Sequence, residues 1–330
     1  MKTILILYGG CSSEYGVSLQ SAQAVLEHLN PQRWRALSVH ITRTGRWTHE
    51  GLPCALRLDR GQAALLLMDG SGRELTFEGA FPVLHGKNGE DGTVQGLLEL
   101  AGVPIVGCGT LSSALCMDKD RAHKLAALAG VRAPRGRAFP LDTPSAELED
   151  YARLLGWPLF VKPVRAGSSF GISRVSRWEE LGEAAAAAFD HDREILLEEA
   201  VPGFEVGCAV LGNPPDLTVG VVDEIELSGD FFDFEEKYSL KTSAIHCPAR
   251  ISPEKAQEVQ EAAKTVYTAL GCRGFARVDF FLTPKGELVF NEVNTIPGFT
   301  AHSRYPSMMR AIGLDFTALL DRLIELGVGE

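Results

Sequence analysis

Near the C-terminus, Ala276-Arg277-Val278-Asp279-Phe280-Phe281-Leu282 and Leu288-Val289-Phe290-Asn291-Glu292-Val293-Asn294 flank Thr283-Pro284-Lys285-Gly286-Glu287. Two alternating apolar runs separated by Pro and Gly predict a β-hairpin. A four-residue loop at 284–287 pairs Thr283 with Leu288, so that Phe281 faces Phe290, Asp279 faces Glu292 and Arg277 faces Asn294. Side chains repeat every second residue, which puts all of these on one face. Two carboxylates directly opposite each other should repel. A divalent cation removes that penalty, because carboxylate and amide oxygens are the ligands that Mg²⁺ and Mn²⁺ take. The hairpin is therefore either a solvated polar face or a metal site holding something anionic, with Arg277 beside it.

A second candidate is Lys162, at the end of an apolar run and just before Arg165-Ala166-Gly167-Ser168-Ser169-Phe170-Gly171. Such a loop can fold N–H groups and hydroxyls over phosphate oxygens while the lysine supplies charge; alone, it reads equally well as a decorated hairpin. No G-x-x-x-x-G-K-[ST] pattern occurs, and Gly9-Gly10-Cys11-Ser12-Ser13 does not satisfy G-x-G-x-x-G.

The elements that carry these groups follow from patterning. Residues 3–7 predict a buried strand, 9–16 a loop and 17–29 a helix ended by Asn30-Pro31. Strands at 80–84 and 103–106 flank the loop 85–92 and a helix at 93–101. This strand–helix alternation implies a mostly parallel sheet covered on both faces, with functional loops at the strands' carboxyl ends. One helical run is expected over 112–130, a connection over 134–144, strands at 157–164, 172–175 and 195–199, and a helix at 253–270 capped by Ser252. The second half thus reads as antiparallel sheet plus helices.

A chain of 330 residues is long enough for two or three domains. The net charge of -11 argues against a nucleic-acid or anionic-membrane partner, which needs a basic face. The first strand is too short for a signal-peptide core or a membrane span. Seven cysteines show no C-x-x-C pair and no zinc spacing, which fits reduced thiols in the cytoplasm.

Together, Lys162-Pro163, the glycine–serine loop, Arg277-Val278-Asp279 and the 291–294 run resemble the ATP-grasp fold. Further motifs resemble the D-alanine–D-alanine ligases: Gly9-Gly10-Cys11-Ser12-Ser13-Glu14, His85-Gly86 through Gly89-Glu90-Asp91-Gly92, Met117-Asp118-Lys119 and Asn294-Thr295-Ile296-Pro297-Gly298-Phe299-Thr300. The resemblance spans essentially the whole chain. It implies an α/β protein, with an N-terminal parallel α/β (Rossmann-like, preATP-grasp) domain followed by an ATP-grasp α+β fold. The implied division is 1–110 for the first substrate, 111–200 for the phosphate loop and adenine segment, and 201–330 for the lid, metal and second-substrate sites.

In that family ATP phosphorylates the carboxylate of a first D-alanine, and the amine of a second substrate attacks the acyl phosphate. Carried onto this chain, the resemblance places ATP against Lys119, Lys162, Ser168, Ser169, Glu198, Glu199, Val201, Glu205, Lys237 and Asn291. It makes Asp279, Glu292 and Asn294 the ligands of two Mg²⁺ (or Mn²⁺) ions. Arg277 and the backbone N–H of Gly298 face the developing oxyanion. Glu14 receives the first substrate's ammonium beside His85, with Ser168 and Tyr238 completing its hydrogen-bonded set. The segment 228–246 resembles a lid, and Ser303 matches the residue holding the second substrate's carboxylate. His123 and the remaining histidines read as structural.

Ala166, Tyr15 and Arg304 depart from the housekeeping pattern and resemble glycopeptide-resistance ligases. The lid's Lys237-Tyr238 pair sets the chain apart from the D-lactate type. Residues 161–172, the lid start and 303–309 look most like the D-alanine–D-serine type. Arg304 or Asp233 would then bond the serine hydroxyl, although Arg304 could instead pair with a lid carboxylate. The alternatives are a housekeeping D-alanine–D-alanine ligase, another ATP-grasp ligase, or a non-catalytic ATP-grasp nucleotide sensor. The resemblance also implies a homodimer.

Overall fold

The computed structural model describes residues 1–57, 59, 63–227, 243–300 and 303–329. Its first sheet runs from β1 (Lys2–Gly9) and β2 (Trp34–Ile41) through β3 (Trp47–His49), β4 (Leu52–Arg57), β5 (Ala64–Leu67) and β6 (Glu74–Thr76) to β7 (Gly79–Val83). The spatial order is β6-β5-β4-β3-β2-β1-β7. Ile4, Leu5, Ile6 and Leu7 have no exposed surface, as a central strand covered on both faces requires. Only β2, β1 and β7 are parallel; β3 to β6 extend the sheet as antiparallel hairpins. The expected strand at 103–106 is reduced to a bridge between Ala80 and Ile105. Helices α1 (Tyr15–His28) and α2 (Thr93–Leu100) start just after the two glycine-rich loops.

The single helix expected over 112–130 is two, α3 (Thr110–Met117) and α4 (Lys119–Leu128). Asp118 breaks the run because it caps α4: its backbone is extended, and its carboxylate accepts from Arg121 N–H at 3.0 Å. The second sheet, in the order β10-β9-β11-β8, is antiparallel. It consists of β8 (Gly136–Pro140), β9 (Leu159–Pro163), β10 (Ser173–Val175) and β11 (Glu194–Glu199), covered by α5 (Ser145–Leu155) and α6 (Leu181–Phe189). Within the expected 134–144 connection lies β8, which pairs along β11 and so completes this sheet.

The third sheet, in the order β14-β13-β12-β15-β16, is also antiparallel. It contains β12 (Phe204–Asn213), β13 (Asp216–Leu227), β14 (Ser243–His246), β15 (Phe275–Leu282) and β16 (Leu288–Asn294). One face, with Val206, Cys208 and Val210, is buried with α7 (Pro253–Ala269). The other carries Ala209 against Tyr305 and Met308 of α8 (Arg304–Arg310), while α9 (Phe316–Val328) ties this region to α1.

The hairpin register is correct where the chemistry lies: Arg277 opposes Asn294 and Asp279 opposes Glu292. Beyond that point it shifts, so that Phe280 faces Phe290 and Leu282 faces Leu288. The expected Phe281–Phe290 and Thr283–Leu288 pairs are therefore wrong. Asn291 is an extra residue on β16, a β-bulge.

Candidate active site

Three strands bring acidic groups into line. Gly207 on β12 lies between Asp223 on β13 and Asp279 on β15, and Asp279 lies beside Glu292. Arg304, the first residue of α8, fills the space above Gly207. Its Nε and Nη2 donate to Asp223 at 2.7 and 2.8 Å, and its Nη1 donates to Glu205 at 2.8 Å. Asp279 Oδ1 is 3.3 Å from Nη2. Arg277 also grips Asp279, with Nε at 2.9 Å and Nη2 at 2.7 Å. Burial opposes the charge on both arginines, and the neighbouring carboxylates more than offset it, raising their pKa values. Asp223 was not among the residues expected from the sequence: it stands directly before Glu224 in a strand that also holds Asp216 and Glu226, and nothing in that run singles it out.

A cavity of about 480 Å³ opens between the second and third sheets, within the ~300–1,000 Å³ of small-molecule sites. Lys162, Ser169, Glu198, Glu199, Val201, Glu205 and Asn291 line it. Lys162 Nζ is ion-paired with Glu198, whose carboxylate is 2% exposed. Glu198 thus turns its charge to the lysine, and Glu199 turns outward to Arg135 N–H and Nε at 3.1 and 2.6 Å.

A second cavity, about 270 Å³, is lined by Glu14, His85, Ser168, Arg277, Asn294, Gly298, Ser303 and Arg304. Glu14 is buried and accepts a hydrogen bond from Ser168 Oγ. Ser168 and Ser169 hold φ values of 50° and 60°, unusual for residues with a Cβ; Ser168 lines this cavity and Ser169 the larger one. Ser21 Oγ stands 3.0 Å from His85 Nε2 and accepts from Phe299 N–H at 3.2 Å, joining the first sheet's loop to the segment carrying Gly298. Glu90, unassigned by sequence reasoning, places Oε1 3.5 Å from His85 Nδ1. Burial pushes its carboxyl up to about 7, with the charge of Glu14 adding and His85 opposing. Ser303 Oγ accepts from Thr300 N–H at 3.0 Å.

Lys119, Ala166 and Glu292 line both cavities, so the two meet there. Lys119 Nζ donates to the Ala166 carbonyl at 2.6 Å. Among the described residues, every site residue expected from the sequence lines one cavity or the other except Asp279, which is buried beneath the two arginines. Asp279, Glu292 and Asn294 offer oxygen donors only, a set that suits a hard divalent cation. Asn294 Oδ1 already accepts from Ile296 N–H at 3.1 Å, and its amide orientation is fixed by that bond. Asp233, Lys237, Tyr238 and most of the lid lie outside the described residues.

Three sheets with a nucleotide-sized cavity between the second and third, and a smaller one joined to it, define an ATP-grasp enzyme. Residues 3–108 match the family described as D-ala D-ala ligase N-terminus, and residues 140–325 match D-ala D-ala ligase C-terminus. The chain belongs to the D-alanine–D-alanine ligase family and is an ATP-dependent D-amino-acid ligase. Among solved structures it is similar to the VanG D-Ala:D-Ser ligase from Enterococcus faecalis, with 53% identity, 99% of each chain covered and a TM-score of 0.92. Curated relatives include the vancomycin B-type resistance protein VanB of Enterococcus faecalis, 45% identical over 98% of each chain. Another is a D-alanine–D-alanine ligase of Chlorobium phaeovibrioides, 43% identical over 99% of this chain and 97% of the relative. Among the described residues, no helix is long and apolar enough to cross a membrane.

Proposed function

We propose that the chain joins D-alanine to a second D-amino acid, preferentially D-serine, through an acyl phosphate, making a dipeptide for peptidoglycan precursors. The meeting of the two cavities at Lys119, Ala166 and Glu292 carries this reading. ATP occupies the larger cavity, with its adenine along 198–201, its ribose toward Glu205 and its phosphates toward Lys119, Lys162 and the 166–171 loop. D-Alanine occupies the smaller one, with its ammonium at Glu14 and its carboxylate directed at the junction. Its carboxylate oxygen attacks the γ-phosphorus and ADP leaves. The second substrate's amine then attacks the acyl carbon, and phosphate leaves.

Arg277 and the Gly298 N–H stabilise charge on the oxygen of that carbon. Held at Asp279, Glu292 and Asn294, two Mg²⁺ or Mn²⁺ ions would neutralise phosphoryl oxygens. Ser303 and the start of α8 receive the second substrate's carboxylate. We further propose the division 1–110, 111–200 and 201–330, a cytoplasmic homodimer, and closure of the segment holding Lys237 and Tyr238.

D-Serine is favoured because Arg304 reaches the smaller cavity while Asp223 fixes its orientation. Its second Nη1 N–H is not among the bonds to Asp223, Glu205 and Asp279, and suits a hydroxyl oxygen. A site that bonds a hydroxyl disfavours the analogue lacking it. D-Alanine is the second reading, supported by how far the same guanidinium is committed to protein carboxylates. The test is phosphate release with ATP and Mg²⁺: turnover should require D-alanine and rise when D-serine is added. Turnover indifferent to D-amino acids would contradict the ligase reading.

A further inference from the structure

The bulge in β16 decides what the strand presents to the nucleotide cavity. Side chains alternate along a regular strand, which would turn Asn291 into the core and Phe290 toward the cavity. With the extra residue, Asn291 and Glu292 both line the cavity. Phe290 is instead fully buried, its ring centroid 6.0 Å from that of Phe280.

A bulge takes backbone groups out of the ladder, and they need other partners. His123 Nε2 lies 2.8 Å from the Asn291 carbonyl oxygen. A carbonyl only accepts, so Nε2 carries the hydrogen. His123 is buried on α4, one turn after Lys119, with its ring edge-on to Phe290 at 5.7 Å. Its Nδ1 lies 3.9 Å from Oε2 of Glu198, the carboxylate that holds Lys162.

We infer that His123 is a positioning residue: by donating to the Asn291 carbonyl it holds the bulge that aims Asn291 and Glu292 into the nucleotide cavity. It touches neither substrate, and the inference rests on the ligase reading, which places phosphates and a cation at Glu292. The bulged turn and α4 are then one unit, linking Lys119 and Glu292 through a single buried ring.

The test is Mn²⁺ titration, followed by electron paramagnetic resonance, of the full chain with a non-hydrolysable ATP analogue. His123→Phe keeps a ring against Phe290 and removes the donor; His123→Gln restores an N–H. Loss of a residue that orients ligands typically weakens metal binding about 10–100-fold, and we expect that range for H123F. H123Q should recover most of the affinity, and KM for D-alanine should stay within about twofold of wild type in both. Should H123F fold poorly, H123M and H123Q, close in size and differing in the donor, provide the comparison. Wild-type affinity in folded H123F or H123M, or no recovery in H123Q, overturns the role of His123. A wild-type chain that binds neither analogue nor Mn²⁺ overturns the ligase reading beneath it.

Discussion

The backbone of Gly207 passes directly beneath the Arg304 guanidinium. A Cβ there would stand 2.3 Å from Nη2, 2.7 Å from Asp279 Oδ1 and 2.8 Å from Asp223 Oδ1. A side chain there would force the guanidinium or the two aspartates to shift, so glycine at this position is a condition for the arginine's present place between them. The same residue that reaches the second-substrate side of the cavity is thereby braced on the sheet that carries Asp279.

Gly207→Ala should therefore push Arg304 out of its place. Its KM for the second substrate should rise at least about tenfold, equivalent to ~1.4 kcal/mol of lost binding, and by more than KM for ATP does, since Arg304 also pairs with Glu205 on the nucleotide side. Steady-state kinetics with each substrate varied in turn checks this. An unchanged KM for the second substrate would sink the steric argument.

Removing the arginine itself has a different signature. Arg304→Leu leaves Asp223, which has no exposed surface, without its bidentate partner. Breaking a buried pair costs about 3–5 kcal/mol, and urea unfolding should show a loss of that order. Arg304→Lys should recover only part of it, because an ammonium cannot span both oxygens of Asp223. Equal stability of the leucine variant and wild type would mean that the pair contributes nothing.

Lys162 and Glu198 form the nucleotide cavity's buried ion pair. Lys162→Met should raise KM for ATP at least about tenfold and destabilise the fold by roughly 3–5 kcal/mol, since Glu198 is left charged and buried. Adding Glu198→Gln should restore stability without restoring ATP affinity, which a double-mutant cycle separates. Joint recovery of both would assign Lys162 a purely structural role.

The residues to which the proposal gives chemistry could be picked out of the sequence because their types, order and local spacing survive in one dimension; that all but Asp279 of those described line two joined cavities is what the fold adds. The register of Asp279 against Glu292 follows from alternation near the site. The turn end does not, because the bulge depends on His123, remote in sequence, and on Phe290 preferring the core to the cavity. Asp118 reads equally as a mid-helix residue and as a cap; in the fold its carboxylate caps α4, and the bond from Lys119 N–H to the Val164 carbonyl, remote in sequence, joins in fixing the break. The strand β8 was missed because a short run rich in Pro, Gly and Arg gains its strand character from β11. Likewise Arg304 announced itself, but its partner Asp223 could be found only by placing β12 and β13 side by side.

Glu90 gives a pH signature. Its carboxyl titrates near 7 in the folded chain, against an ordinary 4.5, because it is buried and near Glu14, with His85 opposing the shift. Between those values the folded state binds more protons than the unfolded state, so stability falls as pH rises through this window. Glu90→Gln should remove that component. The difference in unfolding free energy between wild type and E90Q should shift against wild type from pH 5 to pH 8. A pH-independent difference would contradict the assignment.

The central claim is tested most directly by giving the enzyme equal concentrations of D-alanine and D-serine with ATP and Mg²⁺ and resolving the dipeptides by mass spectrometry. Predominant D-alanyl-D-serine is the predicted result. Predominant D-alanyl-D-alanine would contradict the reading of Arg304, oriented by Asp223, as the group that bonds the hydroxyl, and no dipeptide at all would contradict the proposed reaction.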